Sequence, residues 1–210
     1  MESRERGHPG RAIMWHNIAA GLLMKILSNE LPGVILIEPT IHRDKRGLFY
    51  EAFNRNDYQQ AGLDIDFVQV NVSYSNAGVL RGLHYQLDQP QGKLVTVLHG
   101  RIFDVVVDMR RQSTTFGHWT GVELSGHNHK LIWIPPGFSH GFYTLSDGAT
   151  VVYKVTDYYA PKQARTLLWN DPELGIEWPL REAVPLTLNE ADQAGLPLAE
   201  CEVYEDGRWI

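Results

Sequence analysis

The chain has 210 residues, of which 43% are hydrophobic and 21% are charged, values typical of a domain with a packed core rather than of a disordered chain. A formal net charge of -6 argues against a general nucleic-acid-binding surface, which is basic. The single cysteine, Cys201, excludes an intrachain disulfide, and no run of 18 apolar residues predicts a membrane span. We therefore expect a cytoplasmic protein with no nucleic-acid or membrane partner.

Residues 1–30 are predicted to be an N-terminal extension, and residues 31–210 are predicted to be one domain of short β-strands with an irregular C-terminal tail. Runs rich in β-branched and aromatic residues, separated by turn residues, predict the strands. These runs cover residues 33–38, 48–53, 67–74, 93–98, 102–108, 119–124, 131–134, 142–145 and 150–156. Strands at this spacing, with little helix, predict a sandwich or a barrel.

Shorter signals predict the connections between these strands. The sequence His99-Gly100-Arg101 predicts a tight hairpin between its two flanking strands. One helix is predicted over residues 54–61, ending at Gly62, and a second is predicted to begin at Asn189.

The densest set of chemically active side chains lies at residues 81–86 (RGLHYQ), followed closely by Lys93. Alternate side chains on a strand share a face, so His84 and Gln86 are expected on one side and Leu83 and Tyr85 on the other. His84 is either a hydrogen-bonded core histidine or a functional base. The nearby arginine and lysine favour the second interpretation.

A second motif, residues 134–142 (IPPGFSHGF), places His140 on a strand after a Pro-Gly turn, as in the second half of the cupin pattern. In metal cupins the first half supplies a closely spaced histidine pair and a glutamate, but here it supplies only His84. Because a catalytic transition-metal site needs three or more protein ligands, the sequence predicts no metal and no other cofactor. The pair His127 and His129 is interpreted as part of a solvated turn.

The ordered set of motifs from about residue 30 to about residue 195 resembles the dTDP-4-dehydrorhamnose 3,5-epimerase family. The resemblance implies a mainly β, cupin-type double-stranded β-helix, or jelly-roll barrel, with a few short peripheral helices. It also implies an isomerase that inverts C3 and C5 of dTDP-4-keto-6-deoxyglucose through an enolate at C4, and a homodimer. The motifs are residues 44–51 (DKRGLFYE), 67–71 (FVQVN), 80–86 (LRGLHYQ), 92–95 (GKLV), 103–108 (FDVVVD), 133–142 (WIPPGFSHGF), 153–154 (YK), 158–161 (YYAP), 169–172 (WNDP) and 175–179 (GIEWP).

The resemblance assigns four residues to catalysis. His84 is expected to be the base, with Asp171 backing its ring as the carboxylate of a triad does. Without the resemblance, Asp171 reads as a turn former before Pro172. Lys93 is expected to stabilise the enolate oxygen, and Tyr159 is expected to be the acid. The choice of Tyr159 over its neighbour Tyr158 rests on the resemblance alone.

The resemblance also implies a set of substrate contacts. Arg81 is expected to clamp the diphosphate, because a guanidinium fork matches phosphate oxygens. Tyr153 is expected to form a wall of the pocket. Arg46, Phe49 and Glu51 are expected at a nucleotide-binding edge that a partner subunit can lend, and the remaining polar contacts are Gln69, Asn71 and His140.

Three alternatives remain open at this point. A relative that inverts only C3 or only C5 would keep most of these residues, because the shape of the pocket decides which carbon meets the base. A metal-dependent cupin isomerase or dioxygenase would have a similar fold. A sugar-nucleotide-binding cupin without catalysis would bind the nucleotide but exchange no proton.

Overall fold

The computed structural model describes residues 24–28 and 30–205. Its strands are β1 (Met24–Ser28), β2 (Ile35–Pro39), β3 (His42–Asp44), β4 (Gly47–Phe49), β5 (Gln69–Asn76), β6 (Leu80–Gln86), β7 (Lys93–His99), β8 (Arg101–Asp108), β9 (Trp119–Ser125), β10 (Leu131–Ile134), β11 (Phe138–Thr144), β12 (Gly148–Val155) and β13 (Ala164–Thr166). Its helices are α1 (Arg55–Gln60) and α2 (Glu190–Gln193), with a 3₁₀ turn at Leu198–Glu200.

Two antiparallel sheets form the body of the domain. Sheet one has the strand order β1-β2-β10-β7-β12-β5, and sheet two has the order β13-β6-β11-β8-β9. Their inner faces enclose an apolar core that joins residues such as Val95 and Val97 of β7 to Ile102 and Val106 of β8 and Phe142 of β11. This mainly β architecture, with only short helices at its periphery, confirms the fold class predicted from the sequence.

Strand β5 places polar side chains on the inner face of sheet one. In most half-buried strands the inward residues are apolar and the outward residues are polar. In β5 the order is reversed: the outward side chains include Val70, Val72 and Tyr74, which are exposed, while Gln69 and Asn71 point to the inner face. The inner faces at this end of the barrel are therefore polar, and the outer face of sheet one keeps an exposed apolar strip.

Several sequence-based boundaries change. The hairpin predicted at Gly100 is wrong, because β7 and β8 belong to different sheets and do not pair. Gly100 has a φ of 79° and turns the chain from one sheet to the other at a point where a Cβ would lie 2.0 Å from the Gly148 carbonyl oxygen. Strand β11 begins at Phe138 rather than at residue 142, and β13 had no sequence signal.

The predicted helices are present at the predicted places. Asn54 caps α1, with its side chain accepting a hydrogen bond from the Asn56 amide, and Asn189 caps α2 by accepting from the Asp192 amide. The predicted extension, residues 1–30, lies outside the described residues up to residue 23. Within its remainder, Met24–Ser28 forms strand β1, which pairs with β2 of the same chain.

The C-terminal tail packs against the outer face of sheet two. Leu167, Leu198 and Tyr204 join Leu83 of β6 and Val105 of β8 in a second apolar cluster. The tail thereby holds α2 beside β6, close to the end of the barrel where the polar inner residues lie. Among the described residues, no helix has the length and hydrophobicity needed to cross a membrane.

Candidate active site

A cavity of about 430 Å³ opens at the polar end of the barrel, a size typical of small-molecule sites. The barrel strands contribute His84 from β6, Lys93 from β7 and Tyr153 from β12. Tyr159 closes one side from the loop after β12, and Asn189 at the start of α2 closes another. Three of the four predicted catalytic residues, His84, Lys93 and Tyr159, therefore meet in one cavity.

The carboxylate that contacts His84 belongs to Asp192. Nε2 of His84 lies 2.5 Å from Oδ1 of Asp192, whose side chain is 1% exposed. Asp192 is the third residue of α2, and its backbone amide is held by the capping side chain of Asn189. With the ring proton on Nε2 and donated to Asp192, Nδ1 of His84 is left with a free lone pair. This is the arrangement of a carboxylate-oriented general base.

Asp171, which was expected to back His84, has a different place. Its Oδ1 accepts a hydrogen bond from the Glu173 amide, and its Oδ2 accepts one from the Leu198 amide. The residue is buried, and both bonds fix the fold of the tail around Pro172. The predicted pairing of Asp171 with His84 is therefore corrected to Asp192, and Asp171 is the turn former that its sequence context already allowed.

Lys93 is an amine buried inside the barrel. Only 8% of the residue is exposed, and Nζ donates a hydrogen bond to the His84 carbonyl oxygen at 3.2 Å. Burial lowers the pKa of Lys93 to about 8, while the charge of Asp104 acts to raise it. The ammonium is therefore held in a dry environment beside His84, where its charge acts with little screening.

His140 lies directly beside His84, as its register partner on the neighbouring strand. Nε2 of His140 is 2.8 Å from Oδ2 of Asp104, and both side chains are buried. Burial lowers the pKa of His140, and the neighbouring Lys93 and His84 add to that effect, although Asp104 opposes it. His140 is therefore anchored in the barrel wall, and a neutral ring would donate its Nε2 proton to Asp104.

The two tyrosines of the cavity differ in position. Tyr153 projects inward from β12 in sheet one, whereas His84 projects from β6 in sheet two, so the two face each other across the barrel. Burial raises the pKa of Tyr153, which keeps its phenol protonated. Tyr159 lies in the loop and is 62% exposed. Tyr158, equally exposed, does not line the cavity.

The predicted polar contacts on β5 and β6 lie near the cavity but mainly bond to one another. Gln69 donates from Nε2 to Oδ1 of Asn71 at 2.7 Å, and Gln69 accepts from the Tyr159 amide. Arg81 donates from Nε to Ser75 at 2.9 Å, and its charge acts on the phenol of Tyr153. Gln69 and Arg81 are thus each linked to a tyrosine that lines the cavity.

The hairpin of β3 and β4 lies apart from this cavity. Arg46 forms a salt bridge with Asp44 at 2.6 Å, and the ring of Phe49 is mostly exposed. Both residues line a separate concavity on the hairpin itself. Glu51 follows the hairpin and has one buried oxygen, Oε2, without a hydrogen-bond partner among the described residues. The structure of one chain therefore does not bring Arg46, Phe49 and Glu51 to His84.

The turn predicted at His127 and His129 is only partly solvated. His127 is exposed, but His129 is buried and its ring lies 5.1 Å from that of Tyr50. Asn128 stabilises the turn by accepting from the Ser125 amide. Within the described part of the chain, no three histidine, cysteine, aspartate or glutamate side chains are grouped to hold a metal ion.

Two residues of the site, Asp192 and Asp104, were not predicted from the sequence. Asp192 stands in a segment, Asn189 to Asp192, that reads only as a capped helix start. The sequence shows an aspartate in a short capped helix, but which side of that helix is buried depends on how the tail packs against the barrel. Asp104 stands between Phe103 and Val105 in a strand of apolar residues, and an acid in such a strand is a signal that sequence alone could have used.

Taken together, a carboxylate-backed histidine, a buried ammonium and a phenol in a barrel define an acid–base enzyme of the class that removes a proton next to a carbonyl and stabilises the enolate. Residues 28–200 match the family model described as dTDP-4-dehydrorhamnose 3,5-epimerase. The chain belongs to this family, and it is an isomerase that inverts C3 and C5 of its sugar nucleotide.

This chain also aligns with single proteins named dTDP-4-dehydrorhamnose 3,5-epimerase over nearly the whole of their length. The dTDP-4-dehydrorhamnose 3,5-epimerase of Pseudomonas aeruginosa is 50% identical over 182 residues, 86% of this chain and 99% of that protein. That of Methanothermobacter thermautotrophicus is 48% identical over 180 residues, 86% of this chain and 97% of that protein. A crystal structure of dTDP-6-deoxy-D-glucose-3,5-epimerase from Legionella pneumophila, in complex with dTDP-4-keto-L-rhamnose, is 48% identical and has a TM-score of 0.83. The structural match covers 85% of this chain and 95% of the Legionella chain. This similarity confirms the cupin-type barrel.

Proposed function

We propose that the His84–Asp192 pair removes the protons from C3 and C5 of dTDP-4-keto-6-deoxyglucose. These protons are acidic because the resulting carbanion is delocalised onto the C4 oxygen as an enolate. A neutral imidazole is the strongest base available near pH 7, and Asp192 holds its ring and stabilises the imidazolium that forms. The observation that carries the proposal is the 2.5 Å contact between His84 and Asp192 at the wall of the cavity.

Lys93 stabilises the enolate in this proposal. Its ammonium lies next to the backbone carbonyl of His84, so a C4 oxygen placed near the base also meets the charge. A fixed cation in a dry site stabilises a developing oxyanion by about 3–4 kcal/mol on the precedent of oxyanion-hole donors. The negative charge on the C4 oxygen develops only as the enolate forms, so its attraction to the ammonium favours the transition state over the bound substrate.

Inversion requires an acid on the face of the sugar opposite to the base. Tyr159 was the expected acid, but the geometry favours Tyr153 for this step. Tyr153 faces His84 from the opposite sheet and is partly buried, whereas Tyr159 is mostly exposed in a loop. Tyr159 then serves as a wall of the site, next to Gln69. With a base on one side and an acid on the other, reprotonation gives the inverted carbon.

The remaining predicted contacts hold the nucleotide and the sugar. In this proposal Arg81, whose charge acts on the cavity residue Tyr153, binds the diphosphate, and Gln69, Asn71 and His140 offer polar groups to the sugar. Arg46 and Phe49 line a separate concavity on the hairpin, and neither they nor Glu51 line the cavity that holds His84. Their role in binding the nucleotide therefore requires a partner subunit to supply the hairpin.

A homodimer is part of the same proposal. The exposed apolar side chains Val70, Val72 and Tyr74 on β5 and Leu98 on β7 form a strip on the outer face of sheet one. Each of these side chains is more than half exposed, and large apolar side chains exposed on one face favour association.

The proposed location is the cytoplasm. The cysteine content, a single buried thiol at Cys201, fits a reducing compartment, where disulfides are rare. Fractionation of the native cells, with an antibody against this chain, is the direct test. Recovery of the protein in the cytosolic fraction is expected, and recovery in a membrane or extracellular fraction would contradict the proposal.

The test of the catalytic proposal is product analysis by proton NMR. Incubation of dTDP-4-keto-6-deoxyglucose with the protein is expected to give dTDP-4-keto-rhamnose, inverted at both carbons. His84→Asn is expected to abolish the conversion, while His99→Asn, at an exposed histidine outside the cavity, is expected to leave it unchanged. Inversion of one carbon would instead assign a monofunctional epimerase. Full activity of His84→Asn would contradict the role of the base.

A further inference from the structure

Lys93 carries a charge in a place where little compensates for it. It lies on the inner face of β7, and its Nζ donates a hydrogen bond to an uncharged acceptor, the His84 carbonyl oxygen. It forms no salt bridge with any carboxylate in the described part of the chain. Transfer of an ammonium from water to a protein interior costs several kcal/mol, so a protonated Lys93 needs a compensating charge nearby.

Asp104, on the opposite sheet, is a buried acid whose charge is also incompletely compensated. It lies on the inner face of β8 and is 0% exposed. Oδ2 is bonded to His140, but Oδ1 is buried and has no hydrogen-bond partner among the described residues. A buried carboxylate oxygen without a donor is rare in native proteins and requires an explanation.

The other titratable groups that face Lys93 do not supply a negative charge. His140 on β11 is kept neutral, because burial lowers its pKa. Tyr153 on β12 is a protonated phenol, because burial raises its pKa. His84 on β6 has its own carboxylate, Asp192, in direct contact. Asp104 is the group whose charge acts to raise the pKa of Lys93.

We propose that Asp104 is the counter-ion that keeps Lys93 protonated inside the barrel, acting through space while His140 anchors the carboxylate by a hydrogen bond. Asp104 is thus a positioning residue: in this proposal it keeps Lys93 charged and does not itself contact the substrate. The inference rests on the proposed role of Lys93 in catalysis, but the charge of Lys93 can be measured without substrate or turnover.

The test is a pH titration of the lysine side chains by ¹³Cε NMR, on protein labelled at its six lysines. The Lys93 signal is identified by its loss in Lys93→Met. Asp104→Asn keeps an oxygen to accept from His140 and removes the charge. It is expected to lower the titration midpoint of Lys93 by about one to three pH units, as for loss of an adjacent opposite charge.

Ser139→Ala is the matched control, since Ser139 is also fully buried with an unpartnered oxygen, yet is neutral and lies on β11. Its Lys93 midpoint is expected to match the wild type. An unchanged midpoint in Asp104→Asn would overturn the proposal. If that variant does not fold, the ¹³Cγ signal of Asp104 in wild-type protein gives the same answer. It is expected to shift as Lys93 loses its proton, and no shift would overturn the proposal.

Because neither measurement uses substrate, a failed epimerase assay leaves this result standing. Conversely, an active enzyme in which Asp104→Asn leaves the Lys93 titration unchanged would refute the counter-ion alone.

Discussion

Nε2 of His84 contacts Oδ1 of Asp192 across 108 positions of sequence, and this contact joins the barrel to its C-terminal tail. In the proposed mechanism the tail therefore supplies the carboxylate that orients the base. Its docking depends on a second aspartate, Asp171, whose two oxygens accept hydrogen bonds from the backbone amides of Glu173 and Leu198. Asp192 orients the proposed base, and Asp171 fixes the fold of the tail that carries Asp192.

The two aspartates should separate stability from catalysis. Asp171→Ala leaves the buried Leu198 amide and the Glu173 amide without acceptors, at a cost of about 1–3 kcal/mol for each buried group. Urea denaturation is expected to show a matching fall in the free energy of unfolding, while kcat measured on the folded protein stays near that of the wild type. Asp171→Asn keeps one acceptor and should lose less. A loss of kcat without loss of stability would restore Asp171 to the catalytic role.

The pKa of Lys93 predicts how the activity falls at alkaline pH. The pKa of Lys93 is lowered by burial to about 8, and the proposed active form is the ammonium. The value of kcat/KM for the free enzyme should therefore fall as the pH rises through about 8. Lys93→Met is expected to lower kcat by about 10²–10³-fold and to remove this alkaline fall. A fall that persists in Lys93→Met would assign it to another group.

Tyr153 and Tyr159 can be distinguished by separating proton exchange from inversion. Tyr153→Phe removes the proposed acid but leaves the base, so exchange at C3 and C5 should continue while inversion falls by about 10²-fold or more. Tyr159→Phe, in the exposed loop, is expected to raise KM more than it lowers kcat. NMR of the sugar in deuterium oxide reports both rates. The reverse pattern would return the role of the acid to Tyr159.

The apolar strip on sheet one predicts the oligomeric state. Val72 is 68% exposed near the centre of the strip, and Val72→Glu places a charge where the second copy would pack. Light scattering is expected to give a dimer mass for the wild type and a monomer mass for this variant. Leu180→Glu, at an exposed leucine of the tail, is the control that should remain dimeric. A wild-type monomer at micromolar concentration would contradict the proposal.

Much of the fold was predictable because strand signals are local. The runs of β-branched and aromatic residues predicted β7 and β8 to within one residue, and the asparagine caps marked both helices. The sequence did not predict that β7 and β8 lie in different sheets, since a glycine turn can close a hairpin or connect two sheets equally well. Pairing depends on the register of strands that are distant in sequence.

The site was predictable in part for the same reason. His84 and Lys93 stand on strands whose alternation and motif context indicate an inward face, and both do line the cavity. The partner of His84 could not be found in this way, because a side chain on a short helix of the tail reaches the barrel only once the tail has docked. Between Asp171 and Asp192, only three-dimensional contact decides.

The most direct measurement is proton NMR of dTDP-4-keto-6-deoxyglucose in deuterium oxide, with wild-type protein compared with Asp192→Asn. The wild type is expected to exchange and invert both C3 and C5. Asp192→Asn removes the charge that stabilises the imidazolium and should slow exchange at both carbons by about 10⁴-fold, as for the equivalent change in a catalytic triad. Exchange at the wild-type rate in Asp192→Asn would contradict the assignment of the His84–Asp192 pair as the base.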